Sequence, residues 1–122
     1  MKDLQAYMKD YQKEMGWEIN EENYFKTRES LLNNYMLLTT EVAEFAEELR
    51  KIFNLTQQGI LNGLEQEEAF LRAKESARED IGKELADCLA YLLKFYNYFD
   101  LDLEESFYGK MKEVRERKNK DF

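Results

Sequence analysis

The chain has 122 residues, 43% hydrophobic and 36% charged, which predicts one domain with one core. Its formal net charge of −8 disfavours non-specific binding to nucleic-acid polymers or to anionic membranes, because both need a basic surface. It has no histidine and one cysteine, Cys88, which excludes imidazole catalysis, thiolate metal clusters and an intramolecular disulfide.

The absence of proline predicts a chain made almost entirely of helix. The apolar spacing predicts four helices and one internal loop: helices over 2–15, 22–54 and 64–99, a last helix from about 102, and a loop over 55–63. Asp102 followed by Glu105 predicts a capping box at the start of the last helix. The two middle helices are long enough to form an antiparallel hairpin, the backbone of a helical bundle.

Membrane insertion is not expected, since the longest apolar run, residues 88–93, is far too short to cross a bilayer. A chain with one cysteine and no apolar signal region at its start is compatible with a reducing compartment. We therefore predict a cytoplasmic protein.

Two acidic pairs, Glu41 with Glu44 and Glu84 with Asp87, stand on the middle helices at the edge of the predicted apolar stripe. A step of three residues puts both members of a pair on one helix face, so packing of the two helices would bring four carboxylates together. Four close anions repel, and oxygen ligands without histidine favour magnesium, manganese or calcium over zinc. Magnesium keeps open positions for substrate phosphates, which makes phosphates the expected substrates.

The alternative is that these acids lie on solvated helix faces. Two observations favour the metal site. Neither pair has a basic residue four positions after its first acid, where Phe45 and Cys88 stand instead, and both pairs lie in the most apolar part of the sequence. Glu48 and Asp80 extend the acidic cluster as weaker ligand candidates, and we expect both to face solvent.

The segments Thr40-Glu41-Val42-Ala43-Glu44 and Glu84-Leu85-Ala86-Asp87 resemble the Glu-x-x-Glu and Glu-x-x-Asp signature of the MazG-like all-α nucleotide pyrophosphohydrolases. These enzymes are related to the dimeric dUTPases and the phosphoribosyl-ATP pyrophosphohydrolases. The turn at 101–105 and the helix ending at Gly16-Trp17 are also similar to the family.

The resemblance implies a single all-α domain over 1–122 with a four-helix core and a long central hairpin, completed as a homodimer or homotetramer. It places a longer-than-usual insertion at about 54–79. It also implies hydrolysis of a nucleoside triphosphate to the monophosphate and pyrophosphate, as in nucleotide house-cleaning. Mg²⁺, or Mn²⁺, would be held by the catalytic acids Glu41, Glu44, Glu84 and Asp87.

The last helix departs from the family pattern Lys-x-x-Lys-Asn-x-x-Arg. Lys110 and Arg117 match its outer positions and are candidates for holding phosphate, whereas Glu113 and Val114 replace the inner lysine and asparagine. This leaves the mode of nucleotide recognition open.

Three further residues are substrate-binding candidates, each with a structural alternative. Trp17 could stack on a base or fill the corner between the first two helices. Asn34 could read a base or sugar edge or serve as a structural amide. Tyr91 could reach the nucleotide or pack in the bundle.

Two other functions stay open beside the general enzyme. One is a non-catalytic helical interaction module on the same scaffold. The other is an enzyme specialised for dUTP, dCTP or phosphoribosyl-ATP. The sequence identifies neither the base and sugar, nor the glutamate that orients the water, nor the number of metal ions.

Overall fold

The computed structural model describes residues 2–117, and within them four helices follow one another. The helices are α1 (Lys2–Glu14), α2 (Tyr24–Leu61), α3 (Gln66–Tyr98) and α4 (Leu103–Glu116). This part of the chain contains no strand, which confirms the all-α prediction. The capping of α4 is also as predicted, since the Asp102 side chain accepts a hydrogen bond of 2.9 Å from the Glu105 backbone N–H.

The predicted loop over 55–63 is wrong, because α2 continues to Leu61. Gly59 lies inside the helix and serves close packing: a Cβ added there would come within 3.0 Å of the Ala69 Cβ on α3. The chain reverses at Gly63 instead, whose φ of +97° is a left-handed conformation. The Leu64 N–H donates to the Gly59 carbonyl at 2.9 Å and completes the end of the helix.

Contacts divide the chain into two compact units, residues 1–30 with 92–122, and residues 31–91. In the first unit, side-chain amides tie the helices together. Gln5 Nε2 donates to Asn97 Oδ1 at 3.1 Å, and Asn97 Nδ2 donates to Gln12 Oε1 at 3.2 Å. Gln12 is 3% exposed, so this polar chain is part of the unit's interior.

The second unit is the hairpin formed by α2 from residue 31 onward and by α3 up to residue 91, joined by residues 62–65. Its buried core is formed by Ile52, Ala73 and Ala77, with Phe70 and Ile81 packed against it. The contact between the two helices is made largely by small residues, the alanines of α3 and Gly59 of α2.

The predicted apolar stripes of the hairpin are covered only in part. Large apolar side chains that stand at helical spacing in these stripes are exposed: Tyr35, Val42, Leu49, Phe53 and Leu85. Periodicity marks an apolar helix face but does not say whether the same chain covers it, and here the small residues carry the helix contact instead.

The turn between α2 and α3 gives a stability prediction with a matched control. Gly63→Ala is expected to destabilise the protein by about 1 kcal/mol, because a side chain is strained at positive φ. Gly82→Ala, inside α3 and with open space around it, should stabilise by about 0.5–1 kcal/mol. Urea denaturation measures both values, and a stabilising Gly63→Ala would contradict the assigned turn.

Within residues 2–117, none of the helices is both long enough and apolar enough to span a membrane.

Candidate metal centre

Three of the four predicted acids converge in the hairpin unit. Glu41 on α2 and Glu84 and Asp87 on α3 each offer a carboxylate oxygen, and these oxygens lie within 4.8 Å of one another. Glu84 and Asp87 share a face of α3 because they stand three residues apart. The sequence prediction that the two acidic helix edges face each other therefore agrees with the geometry.

Two oxygens of this group have no hydrogen-bond donor among the described residues. Glu41 Oε2 and Glu84 Oε2 are both inaccessible to solvent and unpaired. Partial burial raises the pKa of the Glu41 carboxyl, and the charges of Glu44 and Asp87 raise it further. The pKa of Glu84 is raised by burial and then by its contact with Glu44. The centre thus holds two carboxylate oxygens that are neither solvated nor paired, beside the exposed carboxylate of Asp87.

Glu44 is exposed and lies outside the group of three converging oxygens, yet it borders the group. Its carboxyl interacts closely enough with Glu41 and with Glu84 to raise the pKa of each. The fourth acid of the pattern therefore stands beside the centre, open to solvent, instead of within it.

Tyr91 and Cys88 also border the centre from α3. Burial raises the pKa of the Tyr91 phenol, and the charges of Glu41 and Asp87 add to the effect. Burial, followed by the charge of Glu41, likewise raises the pKa of the Cys88 thiol, so this thiol is less ionised than an ordinary one. Of the substrate candidates, Tyr91 is thus placed near the acids, but its contact with a nucleotide stays a prediction.

The expectation that Glu48 faces solvent is wrong. Glu48 is 7% exposed, and its Oε1 lies 3.0 Å from Lys51 Nζ, one turn further along α2. Its charge is among the causes that raise the pKa of Glu84, so it belongs to the surroundings of the centre. The sequence signal was present in the lysine three residues after Glu48, a spacing that brings the two side chains together. Asp80 is exposed, as expected.

Lys110 on α4 and Arg117 directly after it both contact Glu113, the acid that replaces the family's inner lysine. Lys110 Nζ lies 3.3 Å and Arg117 Nη2 3.7 Å from Glu113 Oε1. All three side chains are substantially exposed. The substitution by Glu113 thus gives the two cations a partner of their own, and their role with phosphate stays a prediction.

The remaining two candidates are at least half-buried. Trp17 is half-buried, with Lys94 Nζ 4.4 Å from its ring centre, a cation–π contact in the first unit. Asn34 is 5% exposed and belongs to the hairpin unit. Both positions suit the structural alternative, and nucleotide contact by either residue stays a prediction.

A hard divalent cation fits the residues present. All of the donors are carboxylate oxygens, and two of these oxygens are buried without a proton donor. Burial, followed by the influence of neighbouring acids, raises the pKa of Glu41 and of Glu84. An oxygen-coordinated ion such as Mg²⁺ or Mn²⁺ would supply the missing counter-charge.

Comparison with known proteins gives one family. A model described as the MazG nucleotide pyrophosphohydrolase domain matches residues 27–122, which include α3, α4 and all but the first three residues of α2, and therefore the acidic centre. Neither the curated proteins nor the solved structures contain a match.

Proposed function

The chain belongs to the MazG nucleotide pyrophosphohydrolase domain family, and we propose that it hydrolyses nucleoside triphosphates to monophosphates and pyrophosphate with a divalent cation at the acidic centre. The observation that carries this proposal is the convergence of Glu41, Glu84 and Asp87 within 4.8 Å, with two buried oxygens lacking a partner. Such a cluster is costly without a cation and useful with one, since substrate phosphates share the same counter-charge.

In this proposal Glu41, Glu84 and Asp87 hold the cation. When bound, Mg²⁺ or Mn²⁺ neutralises phosphate charge and fixes the position of the phosphate chain. Glu44 acts as the general base, because it is exposed to solvent and borders Glu41 and Glu84 without belonging to the converging group. Its carboxylate accepts a proton from the attacking water as the oxygen–phosphorus bond forms at the α-phosphorus. The bond to the bridging oxygen then breaks, and pyrophosphate leaves.

The exposed apolar face of the hairpin supports self-association. Val42 and Phe53 on α2 and Leu85 on α3 are 52%, 60% and 47% exposed, so the hairpin carries large apolar side chains that the single chain leaves uncovered. We propose that a second copy of the chain covers this face in a homodimer or homotetramer.

The free cysteine of the chain and its net negative charge fit a cytoplasmic enzyme that removes unwanted nucleotides.

A nucleotide panel tests the reaction. Purified protein is incubated with the common ribo- and deoxyribonucleoside triphosphates, dUTP and phosphoribosyl-ATP, each with Mg²⁺, and pyrophosphate and orthophosphate are measured separately. We expect monophosphate and pyrophosphate in equal amounts, and chelation of the metal should stop their release.

The other outcomes separate the alternatives. Turnover of dUTP, dCTP or phosphoribosyl-ATP alone would indicate the specialised enzyme. Orthophosphate in place of pyrophosphate would show attack on a different bond. No turnover by folded protein with any of these substrates would reject the proposal in favour of the interaction module.

A further inference from the structure

The ion pair of Glu48 and Lys51 lies one helical turn beyond the acidic centre. Glu48 stands four residues after Glu44, and its side chain is almost completely covered, whereas that of Lys51 is 62% exposed. A carboxylate this buried needs a counter-charge, and the Lys51 ammonium supplies it at 3.0 Å.

Acids on both helices influence this ammonium. Glu48 has the largest influence on Lys51, and the charges of Asp80 on α3 and Glu47 on α2 add to it, so that the pKa of Lys51 is raised. Asp80 stands four residues before Glu84 on α3, as Glu48 stands four after Glu44 on α2. Glu48 and Asp80 thus form a second pair of acids next to the metal centre, and the cation nearest to this pair is the Lys51 side chain.

We propose that the Lys51 ammonium, held by Glu48, is a built-in cation of the acidic centre, which therefore takes one divalent ion per chain. This inference rests on the proposed metal-dependent function. It assigns Lys51 and Glu48 as positioning residues that set how much negative charge is left for the ion, and neither residue touches the reacting phosphate.

Metal stoichiometry tests the proposal without measuring activity. Wild-type protein is titrated calorimetrically with MnCl₂ at about 0.15 M salt, where exposed charges further apart than roughly 8 Å are screened. We expect one Mn²⁺ per chain for wild type and two for Lys51→Met, which keeps the apolar stem and removes the charge. Lys51→Gln carries the same expectation and serves if the methionine variant does not fold.

Two controls identify the cause of a change. In the double variant Glu48→Gln/Lys51→Met the stoichiometry should return to one, because the buried carboxylate is gone. Arg72→Met removes a cation from a similar pair on α3, where Arg72 Nε lies 2.9 Å from Glu68 Oε1, and should leave the stoichiometry at one.

Other results overturn the inference in distinguishable ways. One Mn²⁺ per chain in both folded Lys51 variants, or two in wild type, would reject the built-in cation and leave the proposed function standing. A wild-type protein that binds no Mn²⁺ would reject both.

Discussion

Asp87→Asn is expected to lower kcat/KM for pyrophosphate release by about 10²- to 10³-fold, the scale on which loss of one preorganised electrostatic group acts. Asp87 is exposed, so the isosteric amide should leave the fold intact. It removes one of three carboxylates that lie within 4.8 Å, and an amide oxygen carries no charge for the cation. The loss is measured with the best substrate of the nucleotide panel.

A matched control separates this effect from a general loss of negative charge. Glu75→Gln removes an exposed acid from the same helix, nine residues before Glu84, where its partner is Arg78 at 3.8 Å. Its activity should stay within about twofold of wild type, since an exposed ion pair contributes little. Full activity of Asp87→Asn would reject the assigned centre, whatever the control shows.

Glu41→Gln is expected to raise the melting temperature of the ion-free protein while removing its stabilisation by metal. The native pKa of Glu41 lies above its ordinary value of 4.5, so the native state binds more protons than the unfolded state above that pH. Stability without an ion therefore falls as the pH rises from about 4.5 through the native pKa. The amide removes a carboxylate whose ionised form is opposed by burial and by the charges of Glu44 and Asp87.

With metal added, wild type should then become more stable than Glu41→Gln. At an ion concentration 100 times Kd, binding stabilises wild type by about 2.7 kcal/mol, and the variant gains far less because it has lost a ligand. Melting curves at neutral pH, in chelator and in excess MnCl₂, measure both effects. If Glu41→Gln melts below wild type in chelator, the carboxylates do not oppose folding, and the argument for a cation at this place fails.

The acidic centre could be predicted because it depends on local spacing. The three-residue steps on α2 and α3 fix which side chains share a helix face. The number of acids that converge could not be predicted, since it depends on the rotation of one helix against the other. Glu41, Glu84 and Asp87 meet, whereas Glu44 stays at the border.

The errors concern burial and packing, which residue type alone does not determine. Gly59 indicates a loop by its type, but it lies inside α2, where it leaves room for Ala69 of α3. Glu48 is polar by type, but it is covered and paired with Lys51. Val42 and Phe53 belong to a clear apolar stripe, yet they are exposed in the single chain.

The amide chain that starts at Gln5 bears on where the molecule can be cut. The family match begins at residue 27, so trimming to it would delete Gln5. Gln5 accepts from the Leu103 N–H at 3.0 Å, at the start of α4, and donates to the Leu101 carbonyl at 2.7 Å. The start of the family match is thus not a suitable place to cut the chain. A fragment that begins at residue 27 would leave the first turn of α4 without the Gln5 side chain that anchors it.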